Sequence, residues 1–224
     1  MPIFSLSTQL LFPPVGYAEP DGLLAVGGDL EPDRLLLAYQ SGIFPWYSPD
    51  EPILWWSPDP RCVLIPGQEK ISKSMRQVLK RGIFRISTNT AFEQAISSCK
   101  SISRPGQEGT WITDEMKSAY LRLHKRGHAH SVEAWQGSEL VGGLYGVAIG
   151  GAFFGESMFS TVSNASKAAF LTCSLHLQTL GFGLIDCQVY TRHLESLGAV
   201  MISRDLFLDR LRTETEKGSL FRTL

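Results

Sequence analysis

The sequence predicts a mixed α/β fold. A small N-terminal domain over residues 1–62 precedes a larger mixed-sheet domain over 63–224. Three observations carry this. Apolar residues recur at helical spacing in some segments and alternate in others. Three strand-like segments follow one another at 129–136, 139–149 and 151–157, joined by Gln136-Gly137-Ser138 and Gly150-Gly151 turns. The first 62 residues differ in composition, with five of the 12 prolines and three of the 5 tryptophans between 45 and 60.

In chain order, Asp21-Gly22 to Gly27-Gly28-Asp29 reads as a turn-rich segment. Pro32 then opens a helix at a first-turn position, where a missing N–H costs nothing. Leu35, Leu36 and Tyr39 give it an apolar side, and Gly42 ends it. The segment from Phe44-Pro45-Trp46 to Pro60-Arg61 reads as a proline-stiffened loop whose aromatics either plug a core or form a stacking platform. Residues 62–66 read as a strand. Residues 70–81 read as a helix, apolar at Ile71, Met75, Val78 and Leu79 and basic at Lys73, Arg76 and Lys80. A strand at 84–88 and a helix at 90–99 follow. Ser, Pro and Gly residues mark a mobile loop at 100–109. Thr113 is placed to cap a helix ending near Gly127. After the three-strand meander come a helix over 164–180, a strand over 184–189, a helix near 193–197, a strand over 199–203 and a last helix.

Composition excludes several classes. The chain of 224 residues is 43% hydrophobic and 19% charged, an ordinary globular balance. No run of about 18 apolar residues suggests a membrane span, and no secretory signal is visible. Cys62, Cys99, Cys173 and Cys187 form no C-x-x-C pair and read as reduced thiols of a cytoplasmic protein. The formal net charge of −1 argues against bulk nucleic-acid affinity, yet a local patch can hide in it. Arg61, Lys70, Lys73, Arg76, Lys80, Arg81 and Arg85 face a single acid, Glu69, within one stretch. Such a run is either a solvated face or a contact for a polyanion's phosphates beside the tryptophan loop.

Glu156 and Asp186 lie in runs otherwise built of apolar and small residues. Carboxylates are almost never fully buried without partners. Strand alternation sets Asp186 and Gln188 on one face and Cys187 on the other. An acid beside an amide, with a second acid on another strand, suits the handling of an amine or hydroxyl. The same residues also fit a buried hydrogen-bonded network without chemistry. His128 and His130, two apart on a strand, lack the acids to complete a metal site. Cys187 as a nucleophile lacks a histidine to activate it.

The order of helices, meander, helix, strand, helix and strand resembles the acetyltransferase-like (GNAT-type) architecture. A CoA-dependent enzyme of that kind holds pyrophosphate on a glycine-rich loop. Here the stretch is Ser160-Thr-Val-Ser-Asn164-Ala-Ser166-Lys167, without glycine, so a different acyl donor is implied. Eight strings resemble the leucyl/phenylalanyl-tRNA–protein transferase family. They are Asp21–Asp29, Gly42–Trp46, Pro52–Arg61, Gly109–Thr113, Gly127–Ser131, Gly155–Ser160, Asn164–Lys167 and Leu184–Val189. The resemblance implies an enzyme that moves Leu or Phe, and less readily Met, from aminoacyl-tRNA to proteins beginning with Arg or Lys. The product is a degradation signal. It implies no metal or CoA; no membrane partner is expected, and the expected oligomeric state is a monomer. By the same resemblance Asp186 and Gln188 hold and polarise the acceptor amine, and Glu156 contacts the ester end. Trp46 and Trp111 contact the terminal adenosine. Leu144 and Met158 wall the donor pocket. Ser160, Asn164 and Ser166 stand near the substrate, with Asn164 equally suited to capping a helix. Lys73, Arg76, Lys80 and Arg81 are the expected tRNA contacts. The competing reading is a non-catalytic RNA-binding module with the same tryptophan loop and basic helix.

Overall fold

The computed structural model describes residues 3–102 and 112–224. Trp111 and nearly all of the loop expected at 100–109 lie outside the described residues. The first 60 residues carry more regular structure than their prolines suggest. Strands β1 (Phe4–Leu6), β2 (Leu23–Gly27), β3 (Phe44–Pro45) and β4 (Leu54–Trp56) form a sheet in the order β1-β2-β4-β3. These strands are two to five residues long, too short for alternation to show. Helix α1 (Pro32–Gln40) starts on Pro32 and ends before Gly42, whose φ of 75° suits glycine.

The second sheet is made of β5 (Arg61–Leu64), β6 (Arg85–Thr88), β7 (Ala129–Gln136), β8 (Glu139–Ile149), β9 (Ala152–Ser160), β10 (Leu184–Gln188) and β11 (Val200–Ile202). Their order is β11-β5-β10-β9-β8-β7-β6. Neighbours are antiparallel except β9 and β10, which are parallel. A parallel pair needs a crossover, and α5 (Ala165–Thr179) supplies it. The mixed α/β class and the meander are as expected. Cys62, the last residue of the expected N-terminal unit, lies inside β5.

Helices cover both faces of this sheet. Helix α2 (Lys73–Lys80) packs beside α5 on one face. There Met75, Leu144, Phe153, Phe170 and Ile185 share a core. Helices α3 (Phe92–Ser101) and α4 (Asp114–Lys125) lie on the other face, with α1 against α4. On that side Leu35, Tyr39 and Trp55 share one core with Ile96, Tyr120 and Phe154. Each such buried side chain contributes about 1.5–3 kcal/mol, so the two parts of the chain are joined by more than a linker. Helices α6 (Arg192–Ser196) and α7 (Arg204–Thr215) complete the chain, and Phe207 and Leu211 of α7 join the second core.

The caps follow the sequence closely. Ser72 accepts from the Met75 N–H at 3.2 Å, so α2 begins at 73 rather than 70. Thr113 accepts from the Met116 N–H at 3.0 Å.

Candidate active site

The β9–β10 pairing stops at Asp186–Phe154, although β9 runs on to Ser160 and β10 to Gln188. The strands part there. A cavity of about 410 Å³ opens in the gap. Leu144, Phe153, Met158, Phe170 and Ile185 make its walls apolar, and Trp46 stands at its edge. Glu156 and Gln188 bring a carboxylate and an amide to it.

Two irregularities aim these groups. On β8 and β9 the pairing passes from Tyr145–Ser157 to Gly146–Gly155, which leaves Glu156 as the extra residue of a bulge. On β10 the register against β5 shifts between Asp186 and Gln188. Gln188 has a φ of 59°, in the left-handed region. The shared face expected for Asp186 and Gln188 is therefore not present. Ile185, Cys187 and Gln188 line the cavity and Asp186 does not. A bulge breaks the alternation that the strand pattern assumes.

Asp186 is fully buried and points to Arg61, which donates to its two oxygens at 2.8 and 2.7 Å. Phe44 and Phe207 sandwich the guanidinium at 4.7 and 4.6 Å, and Gly42 O accepts from it at 3.2 Å. Arg61 thus leaves the basic patch in which its sequence position had set it. Asp186 Oδ1 also accepts from the Gln188 N–H at 3.0 Å, which anchors the irregular turn. With Arg61 on both oxygens, Asp186 holds Gln188 in place from behind the cavity rather than from within it.

Glu156 is the carboxylate that meets the cavity. Its Oε1 accepts from Tyr39 Oη at 2.8 Å and from Gln188 Nε2 at 3.2 Å. Its Oε2 accepts from Tyr120 Oη at 2.6 Å. The two tyrosine hydroxyls also touch each other. Burial first, and the Glu156 charge second, push both phenols well above their ordinary range, so they stay protonated. Burial lifts Glu156 from 4.5 to about 7, against the pull of the two tyrosine hydrogen bonds. A carboxyl group poised near neutrality can both take and return a proton. Tyr39 and Tyr120 were not foreseen, since each occupies an apolar position of an amphipathic helix.

Of the other expected residues, Leu144, Met158 and Trp46 line the cavity. Trp46 is 41% exposed, while Trp55 is a core residue whose Nε1 donates to Gly27 O at 2.8 Å. The tryptophan loop is thus a plug at one residue and an open platform at the other. Ser160, Asn164 and Ser166 are not part of the cavity lining. Ser160 Oγ accepts from the Ser166 N–H at 3.2 Å and caps the start of α5. Asn164 makes no side-chain cap there and sits at a φ of 71°. Lys73, Arg76, Lys80 and Arg81 are exposed, and none forms an ion pair with a described residue. They lie on the face of the sheet that carries α5, which walls the cavity through Phe170 and Cys173.

The alternative chemistries find little support. A hydrogen bond with Cys62, then burial, raises the Cys187 thiol well above its ordinary range, which disfavours a thiolate nucleophile. His130 stacks on Phe221 and its Nδ1 meets Asn89 Nδ2 at 3.0 Å. Burial lowers its pKa to about 4. Among the described residues no group of three His, Cys, Asp or Glu could hold a metal ion, and no helix is long and apolar enough to cross a membrane.

An apolar pocket in a parted mixed sheet, with a carboxyl of raised pKa beside an amide, suits an enzyme that moves a proton during acyl transfer. The model of the leucyl/phenylalanyl-tRNA protein transferase family matches residues 63–212, and that of its N-terminal domain matches 28–59. The chain belongs to this family. It is similar to the leucyl/phenylalanyl-tRNA–protein transferase of Syntrophus aciditrophicus (strain SB), at 56% identity over 98% of this chain and 92% of that one. The protein of that name from Anaeromyxobacter sp. (strain K) is 55% identical over 98% and 94% of the two chains. The one from Flavobacterium johnsoniae is 54% identical over 95% and 100%.

Proposed function

We propose that this enzyme transfers Leu or Phe, and less readily Met, from aminoacyl-tRNA to the α-amino group of proteins that begin with Arg or Lys. The transferred residue then marks the protein for degradation. The single observation that carries this reading is the Glu156 carboxylate, hydrogen-bonded to Gln188 in the lining of an apolar pocket. The family's name supports aminoacyl-tRNA as donor and protein as acceptor.

The donor's side chain enters between Leu144, Met158, Phe170 and Ile185. A side chain branched at Cβ fits such an entrance less well than Leu, Phe or Met. Trp46 offers a stacking face to the terminal adenine, and stacking of this kind contributes about 1–3 kcal/mol. The basic side of α2 contacts backbone phosphates further along the tRNA, which position the donor without reading its sequence.

The ester is already activated, so juxtaposition supplies much of the acceleration, about 7–11 kcal/mol in favourable cases. Gln188 orients the acceptor amine. Its nitrogen attacks the ester carbonyl carbon, and Glu156 takes the proton released from nitrogen. The bond to the ribose 3′ oxygen breaks, and Glu156 returns that same proton to the leaving oxygen, so a peptide bond replaces the ester and the carboxylate is restored. Asp186 acts as a positioning residue through the Gln188 backbone. It does not touch the reacting atoms.

The test is direct. Radiolabelled Leu-tRNA and a peptide with N-terminal Arg are mixed with the protein, and label is sought in the peptide. Transfer to Arg and Lys peptides but not to an N-terminally acetylated peptide is expected. Binding of the tRNA without transfer would instead favour an RNA-binding module.

A further inference from the structure

On the footing of the transferase reading above, we propose that Glu195, held by Tyr190, is the specificity-determining residue for the acceptor. Its carboxylate reads the positive charge on the acceptor's first side chain.

The acceptor amine must reach Gln188 and Glu156, so the cation on the same residue lands near the cavity rim. Among the described residues, three carboxylates lie at a lining position or within two residues of one: Glu156, Asp186 and Glu195. Asp186 is closed off by Arg61. Glu156 is engaged by two tyrosines and by Gln188. Glu195 is left over. It is exposed on α6, the helix whose His193 and Leu194 line the cavity.

Glu195 is also held in one place. Its Oε2 accepts from Tyr190 Oη at 2.7 Å, while Oε1 accepts no hydrogen bond from a described residue. It makes no ion pair with a described residue, its helix neighbour Arg192 included. Tyr190 follows Gln188 and Val189, which both line the cavity, and is 49% exposed. Two residues of extended chain span at most about 7 Å. An arginine or lysine side chain has a similar reach. A guanidinium there would meet Oε1 at its edge and the Tyr190 ring at its face, a combination that suits Arg better than Lys.

The experiment measures transfer to two peptides that differ only at the first residue, Arg or its uncharged counterpart citrulline. Glu195→Gln is expected to raise KM for the Arg peptide by about fivefold at low salt, near the upper range for exposed ion pairs. Its kcat should stay within about twofold, and the citrulline peptide should be unaffected. Tyr190→Phe should act in the same direction and less strongly. Added salt should erase the difference between wild type and Glu195→Gln. An unchanged preference for Arg over citrulline in Glu195→Gln would overturn the assignment, as would equal loss for both peptides. Failure of the wild type to modify any peptide would overturn the transferase reading instead.

Discussion

Asp186 and Glu156 show how two carboxylates in similar sequence surroundings take different parts. Both interrupt apolar runs, and that interruption is legible in the sequence. Which one meets the cavity is not, because a bulge at each site decides it. Arg61 was hidden for a related reason: a basic residue beside a basic helix reads as surface until its buried partner is known. The Arg61–Asp186 pair is fully enclosed. Removing one partner leaves an unpaired buried charge, which costs about 3–5 kcal/mol. Asp186→Asn should therefore lower the urea midpoint markedly. Arg61→Met with Asp186→Leu should recover much of that stability, since apolar replacement of a buried pair is often neutral. Transfer should remain slow in the double variant, because the Gln188 N–H has lost its anchor. Full activity in a stable double variant would show that Asp186 has no positioning role.

Glu156 carries a stability signature of its own. Its native pKa, about 7, is above the ordinary 4.5. Between those values the native state keeps a proton that the unfolded chain has released. Stability attributable to this group thus falls as pH rises from about 4.5 to 7 and then levels off. In Glu156→Gln that component is absent. Urea unfolding at pH 5 and pH 7.5 should show a smaller loss in the variant than in wild type, and equal losses would argue against the raised pKa.

At the scale of elements, α2 was legible almost completely. Its apolar and basic residues separate by helical period, and only Ser72 moved its start. The strands β1 to β4 were not legible, because prolines punctuate them and none is long enough to show alternation. The parting of β9 from β10 was also invisible, since both strands continue past their last pair. Helix α2 yields a prediction that separates binding from chemistry. Lys73→Glu with Arg76→Glu should weaken aminoacyl-tRNA binding and flatten its salt dependence. A small aminoacyl-adenosine, which lacks the distant phosphates, should bind almost as before. Equal weakening of both ligands would remove α2 from the tRNA interface.

For the whole molecule, the site is assembled from distant parts of the chain. Tyr39 and Trp46 come from the first 60 residues, Tyr120 from α4 and Gln188 from β10. The boundary expected at residue 62 rests on the change in composition, and the core runs across it. A fragment of residues 61–224 should accordingly lose cooperative unfolding in urea, because Leu35, Tyr39 and Trp55 no longer cover that face. A cooperative transition near the wild-type midpoint would show that the larger part stands alone. If Glu156 accepts the proton in aminolysis of an aminoacyl ester, its titration must appear in the transfer rate. The measurement is the single-turnover rate of Leu transfer to an Arg peptide from pH 5.5 to 9, in wild type and Glu156→Gln. Wild type should show a rising limb near pH 7, distinct from that of the acceptor amine at about 7.7–8. The variant should lose that limb and fall about 100-fold or more, the usual contribution of a placed acid–base group. A variant within twofold of wild type, with the limb intact, would show that Glu156 is not the proton acceptor.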